Sequence, residues 1–146
     1  MELNKIPKLI LLLLRVALGW LFFYAGITKV LDPEWSAAGY LAGAKNFTGF
    51  YTWLASESIL PITNFLNEWG LTLLGLALIL GIFVRISSLL AAAMMILYYL
   101  VILDYPHPSA HAYLVDEHII YALILLFFAA TQAGRFWGFD RWRRWD

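Results

Sequence analysis

The chain has 146 residues, of which 62% are hydrophobic and only 14% are charged, and its formal net charge is zero. Soluble domains carry about 25% charged residues, so this composition excludes an ordinary soluble domain, which could not hide so much apolar surface. The balanced charge argues against a nucleic-acid partner, and the lack of cysteine excludes disulfides, thiolate nucleophiles and cysteine-held metal centres.

Four long apolar stretches follow one another along the chain, at residues 6–31, 65–83, 86–103 and 118–133. A helix needs about 20 apolar residues to cross the hydrocarbon core of a bilayer. The stretches lack the period-two alternation of membrane strands, so each is predicted to be a transmembrane helix. The sequence thus predicts an all-α integral membrane protein, with one four-helix transmembrane bundle formed by residues 1–146.

The first connection, residues 32–64, is predicted to hold one or two short interfacial helices. Residues 32–34, Asp-Pro-Glu, combine a capping residue, a proline and an acid, so we expect a helix to begin there. Six aromatic residues follow at a density typical of the lipid headgroup zone: Trp35, Tyr40, Phe47, Phe50, Tyr51 and Trp53. We expect these short helices to end before Pro61.

Basic residues are distributed unevenly between the two sides of the predicted bundle. Two fall on one side, Lys29 and Lys45, and eight on the other: Lys5, Lys8, Arg15, Arg85, Arg135, Arg141, Arg143 and Arg144. Because cytoplasmic loops carry the excess of lysine and arginine, we expect a multi-pass protein of the cell membrane with both termini cytoplasmic. Tryptophans in the basic tail are predicted to anchor it at the anionic cytoplasmic leaflet: Trp137, Trp142 and Trp145.

Ionisable residues are rare in membrane helices, and their positions indicate function. Six polar residues at or near the outer helix ends are predicted to line one cavity that opens outward: His118, Glu68, Lys29, Tyr98, Tyr121 and Asp116. The alternative interpretation is that such residues only extend toward the headgroups, and that Asp116 and Glu117 only cap a helix.

Arg15 lies about two turns into the first helix from its inner end, where an arginine must find partners. Gln132 and Thr131 on the last helix lie at comparable depth, so we expect a structural contact between these helices. Gly19 and Gly26 are seven residues apart and face one way, which predicts close packing against another helix.

His107 and His111 have the four-residue spacing of a helical metal site. Pro106 and Pro108 disfavour a helix there, so no metal site is predicted.

Three stretches resemble the DoxX family, which includes the DoxD-type small subunit of thiosulfate:quinone oxidoreductase. Residues 15–29, RVALGWLFFYAGITK, are similar to its opening helix, with an arginine, two glycines and a terminal lysine. The second stretch has two parts, NEWG at residues 67–70 and LGIFVR at residues 80–85. The third is DEHIIYAL at 116–123, followed by AGRFWGFD at 133–140.

The resemblance implies a four-helix membrane fold and association with a respiratory or sulfur-oxidising assembly that passes electrons to a quinone. On this hypothesis the chain is a quinone-facing subunit, with quinone as substrate and no intrinsic cofactor. Glu68 or Asp116 would accept protons, and four side chains would donate hydrogen bonds to the quinone carbonyls: His118, Tyr98, Tyr121 and Lys29.

Electrons would then come from a partner, so the chain alone is not predicted to be catalytic. We expect other membrane or extracytoplasmic subunits as partners, besides the lipid bilayer, and a homo-oligomer is a further alternative. Two other functions stay open, a non-catalytic membrane scaffold or assembly subunit and a small transporter.

Overall fold

The computed structural model describes residues 4–142. Every regular element within this range is a helix, and none is a strand. Arg143, Arg144 and Trp145, which contributed to the predicted orientation and tail anchor, lie outside it. The α-helices are α1 (Lys5–Val30), α2 (Ala38–Ala42), α3 (Thr48–Leu54), α4 (Leu60–Phe65), α5 (Leu71–Leu80), α6 (Val84–Ile102) and α7 (Glu117–Thr131). A π-helical turn, Leu66–Gly70, joins α4 to α5, and two 3-10 helices follow α7, Ala133–Arg135 and Phe139–Trp142.

Three helices are long and apolar enough to cross a membrane: α1, the continuous helix Leu60–Leu80, and α6. Only 28 to 39% of each apolar stretch is buried inside the protein. Such extensive apolar surface is compatible with lipid and not with water. The prediction of an all-helical membrane protein is confirmed, with three helices of membrane-spanning length. The fourth predicted span is a shorter helix, since the 15 residues of α7 extend over about 22 Å.

Glycines allow α1 and α5 to pack with their backbones in contact. A Cβ atom added at Gly19 would lie 2.9 Å from the carbonyl oxygen of Gly75, and one at Gly75 would lie 2.6 Å from the carbonyl oxygen of Gly19. Gly26 meets Thr72 in the same way. The close packing predicted from Gly19 and Gly26 is confirmed, and α5 is the partner helix.

The other half of the bundle packs α7 against α6 through small and branched residues. Ala91 and Ala92 on α6 share a buried cluster with Ala122 and Leu125 on α7, and Phe22 of α1 belongs to the same cluster. This single core therefore joins both helix pairs into one bundle.

The connection between α1 and the second long helix holds two short helices, as predicted, but the boundaries differ. Asp32 does not begin a helix; its carboxylate accepts the Glu34 backbone N–H at 3.0 Å in a turn, and α2 begins only at Ala38. The next long helix begins at Leu60 and not at residue 65. Pro61 fits in its first turn because the N–H groups of that turn need no partner within the helix.

Arg15 connects α1 to the segment after α7, and its side chain is only 1% exposed. It donates to the carbonyl oxygens of Ala133 at 2.7 Å, Phe136 at 3.2 Å and Trp137 at 3.4 Å. The contact is structural, as expected, but its acceptors are not the predicted side chains. Gln132 ends α7 in a left-handed conformation, which directs the following carbonyls at Arg15, and the Thr131 hydroxyl donates to Phe127.

Candidate functional site

A cavity of about 420 Å³ lies between α1, α5, α6 and α7 at the ends where α1 and α6 finish and α7 begins. Of the six residues predicted to line an outer cavity, four do so: Lys29, Tyr98, His118 and Tyr121. Asp116 lies behind His118, to which it is hydrogen-bonded. Glu68 is not in the cavity wall, where the neighbouring Asn67 stands in its place.

The cavity has a polar end and an apolar end. Lys29, Asn67 and His118 stand near the helix ends, whereas Leu21 and Met95 line the deeper part. Leu21 precedes Lys29 by eight residues on α1, which places it about 12 Å further along the helix axis. The cavity therefore suits a molecule with a polar group at one end and an apolar body, and its volume is within the range of small-molecule pockets.

His118 is held by Asp116 at the N-terminus of α7. Asp116 Oδ2 lies 2.6 Å from His118 Nδ1, and Oδ1 accepts the backbone N–H groups of His118 at 3.0 Å and Ile119 at 3.3 Å. Because an ionised carboxylate only accepts hydrogen bonds, Nδ1 carries a hydrogen. Nε2 of the neutral ring is then an acceptor, and it becomes a donor when the ring is protonated. Asp116 thus both caps α7 and orients the imidazole.

Tyr98 links His118 to the π-helical turn. The Tyr98 ring meets the His118 ring edge to face, with centroids 6.1 Å apart, and its hydroxyl donates to the side-chain oxygen of Asn67. The Asn67 amide in turn donates to the Thr63 carbonyl at 2.8 Å, which fixes its orientation.

Asn67 was not among the predicted cavity residues, although a polar amide within an apolar helix is itself an indication of a buried polar site. A π-helical turn contains more residues than an α-helical turn, so α-helical periodicity does not tell which of Asn67 and Glu68 faces inward.

Lys29 has no carboxylate partner within residues 4–142. Its ammonium donates to the Ala25 carbonyl at 2.9 Å and lies 5.4 Å from the ring centroid of Trp35. A single carbonyl and an aromatic face leave hydrogen-bonding capacity on this cation. Lys29 can therefore bind an oxygen atom of a ligand in the cavity.

Residues 35–40, here called the roof segment, cover the cavity beyond the helix ends. Trp35, Ala37 and Tyr40 line it from above. The Ala37 N–H donates to Asn64 Oδ1 at 2.9 Å, and the Tyr40 hydroxyl donates to the Tyr98 carbonyl at 2.9 Å. Burial, aided by the neighbouring Tyr51 and Asp116, raises the pKa of Tyr40 to about 12, so this hydroxyl stays a hydrogen-bond donor even in mildly alkaline solution. Sequence reasoning had placed Trp35 and Tyr40 at the membrane surface without assigning them to the cavity.

The loop that carries His107 and His111 lies apart from this cavity. His107 Nδ1 is 3.2 Å from the Ala112 carbonyl oxygen, and Asp104 pairs with Lys45 at 2.7 Å on the exposed surface. Within residues 4–142 no group of three histidine, aspartate or glutamate side chains is arranged to hold a metal ion.

A family model described as DoxX matches residues 10–104, which is more than half of the chain. Comparisons with curated proteins and with solved structures find no match. The matched region contains Lys29, Asn67 and Tyr98, and it ends before Asp116 and His118 on α7.

Proposed function

The chain belongs to the DoxX family of membrane proteins, and we propose that it is a quinone-binding subunit of a membrane-bound oxidoreductase, such as a thiosulfate:quinone oxidoreductase. The observation that carries this proposal is the Asp116–His118 pair at the polar end of a cavity whose deeper part is apolar. A quinone has the matching chemistry, a ring with carbonyl oxygens and an apolar tail.

Ring recognition in this proposal depends on donors from different helices. Lys29 on α1 and the protonated imidazole ring of His118 on α7 donate to the two carbonyl oxygens, and the Tyr98 and Tyr121 rings pack against the quinone ring. The hydrogen bonds that His118 donates to the Asp116 carboxylate and that Lys29 donates to the Ala25 carbonyl hold the two side chains in place before the ligand binds. Such prior ordering reduces the entropy lost on binding.

Reduction of a quinone to a quinol consumes two electrons and two protons. The protonated ring of His118 delivers a proton through Nε2, and the Asp116 carboxylate at Nδ1 stabilises the charged ring before the transfer. Water beyond the helix ends supplies the protons that Nε2 gives up. Electrons come from a partner subunit or a protein on the outer side, so the chain alone is not an enzyme. Glu68, at the edge of this region, would serve as a second proton relay only if it turns toward the cavity.

We also propose that α7 is a fourth membrane crossing, extended by the 3-10 helix Ala133–Arg135. In the proposed orientation both termini are cytoplasmic and the cavity faces the outer side. The distribution of basic residues supports this, since Lys29 and Lys45 are at the cavity end, whereas Lys8, Arg85 and Arg135 are at the other.

The test is quinone binding by the protein in nanodiscs, with His118→Ala and Lys29→Ala compared with His111→Ala. His111 is an exposed histidine outside the cavity and serves as the control. A hydrogen bond to a charged group is worth about 1.5–3 kcal/mol, so each cavity variant should weaken binding by about tenfold or more. Unchanged affinity in both cavity variants would contradict the proposal. Wild-type protein that co-purifies with partner subunits but binds no quinone would favour the scaffold alternative.

A further inference from the structure

The cavity follows one flank of α1, beside the face that packs against α5. Leu21, Ala25 and Lys29 all line it and are spaced four residues apart. At about 100° per residue, this row lies on a different side of α1 from Gly19 and Gly26, which contact α5. The row therefore faces the seam between α1 and α7, where Phe22 and Tyr121 meet with ring centroids 6.3 Å apart.

The roof segment lines the opposite, aqueous end of the cavity. It is held by the hydrogen bond from Ala37 to Asn64 and by the one from Tyr40 to the Tyr98 backbone. Behind it, Leu41 and Val101 belong to a second buried cluster that fixes α2 against α6.

Leu21 lies between the cavity and the outer surface of the bundle. It lines the deep part of the cavity and is also 42% exposed on the apolar outside of α1. The same side chain therefore borders both the ligand space and the surface that faces lipid. The bundle wall is thin at this point of the α1–α7 seam.

We infer that ligands reach the cavity sideways from the bilayer, through the α1–α7 seam at Leu21, and that the seam holds the tail of the bound ligand. This inference rests on the proposed quinone function and narrows the ligand to quinones with a long isoprenoid tail. Leu21 is then a specificity-determining residue, which contacts the tail and not the ring.

The experiment measures equilibrium binding of two quinones that share a ring, one with a long isoprenoid tail and one without a tail. Leu21→Trp fills the seam, and Leu76→Trp is the control, because Leu76 has a similar exposure of 39% on α5 and does not line the cavity. The tailed quinone should bind about tenfold more weakly to L21W, which corresponds to roughly two methylene groups left unburied. In L21W the affinity for the tail-free quinone should fall much less than the affinity for the tailed quinone, and L76W should bind both quinones as the wild type does.

A second measurement tests the roof segment. The chain has no cysteine, so Leu41→Cys combined with Val101→Cys places two thiols in one buried cluster, and a bifunctional thiol reagent that joins them locks α2 onto α6. The locked protein should still take up the tailed quinone from liposomes. Loss of uptake on cross-linking, or equal affinities of L21W and L76W for the tailed quinone, would overturn lateral access. Wild-type protein that binds neither quinone would refute the proposed function and, with it, this inference.

Discussion

The guanidinium group of Arg15 donates a 2.7 Å hydrogen bond to the carbonyl oxygen of Ala133, which lies 118 residues later in the chain. Glycines make room for this contact, because a Cβ atom at Gly81 would lie 3.0 Å from Arg15 Cζ, and one at Gly138 would lie 2.9 Å from Arg15 Nη1. One side chain thus ties α1 to the segment after α7, close beside the turn between α5 and α6.

Replacement of Arg15 by methionine should destabilise the fold strongly. The shorter apolar side chain removes the guanidinium donor from the carbonyls of Ala133, Phe136 and Trp137, and within residues 4–142 only Ala133 keeps a second donor, the Phe136 N–H. A hydrogen bond to a charged group is worth about 1.5–3 kcal/mol and two of the three are only partly buried, so we expect a total loss of about 3 kcal/mol. Thermal unfolding in detergent measures it, with Arg85→Met at an exposed arginine as the control. Equal melting temperatures for the two variants would contradict this role.

Asp140→Ala should uncap α6. The two carboxylate oxygens of Asp140 accept the backbone N–H groups of Phe83 and Val84, each at 2.8 Å, at the N-terminus of this helix. Loss of such a cap costs about 0.5–2 kcal/mol. Chemical denaturation should show this loss for Asp140→Ala but not for Glu57→Ala, which removes an exposed acid elsewhere. The cap assignment fails if both variants unfold at the same denaturant concentration.

Gly75→Ala should separate α1 from α5. The new methyl group would lie 2.6 Å from the Gly19 carbonyl oxygen and 2.7 Å from Phe23 Cα, and backbone atoms cannot move aside as a flexible side chain would. Overpacking typically costs about 1–3 kcal/mol. Gly49→Ala is the matched control, because a Cβ atom there meets nothing within 4 Å. A stability for Gly75→Ala as high as that of the control would argue against direct backbone contact.

Stability should fall as the pH rises from about 10 to about 12, partly because of Tyr40. Burial raises the pKa of Tyr40 to about 12 in the folded protein, above the usual tyrosine value of about 10. Between these values the unfolded chain loses the proton while the folded protein keeps it, so alkali favours unfolding; below pH 10 the contribution is fully present. Tyr40→Phe should flatten this part of the stability profile, unlike Tyr105→Phe at an exposed tyrosine. Parallel profiles for wild type and Tyr40→Phe would refute the assignment.

The sequence by itself determined the class of the protein and the approximate position of its polar cluster. Long apolar stretches in a chain of 146 residues leave only lipid-facing helices, because backbone groups in hydrocarbon must bond within their own segment. Placing a charged side chain in hydrocarbon costs free energy, which favours helix ends for Lys29 and His118. The predicted order of the helices puts these two ends on the same side of the bundle. Gly19 and Gly26 indicated a helix contact because their seven-residue spacing repeats on one face.

Only the tertiary structure decided which atoms meet. A π-helical turn altered the helical phase near Asn67 and Glu68, and no local pattern predicted which of them would face the cavity. The roof segment closes over the cavity through contacts such as that of Tyr40 with the Tyr98 backbone, 58 residues away. Arg15 bonds to backbone carbonyls, which every residue carries, so residue types could not identify its acceptors. Long-range contacts of this kind depend on how the helices pack, and packing is a property of the whole chain.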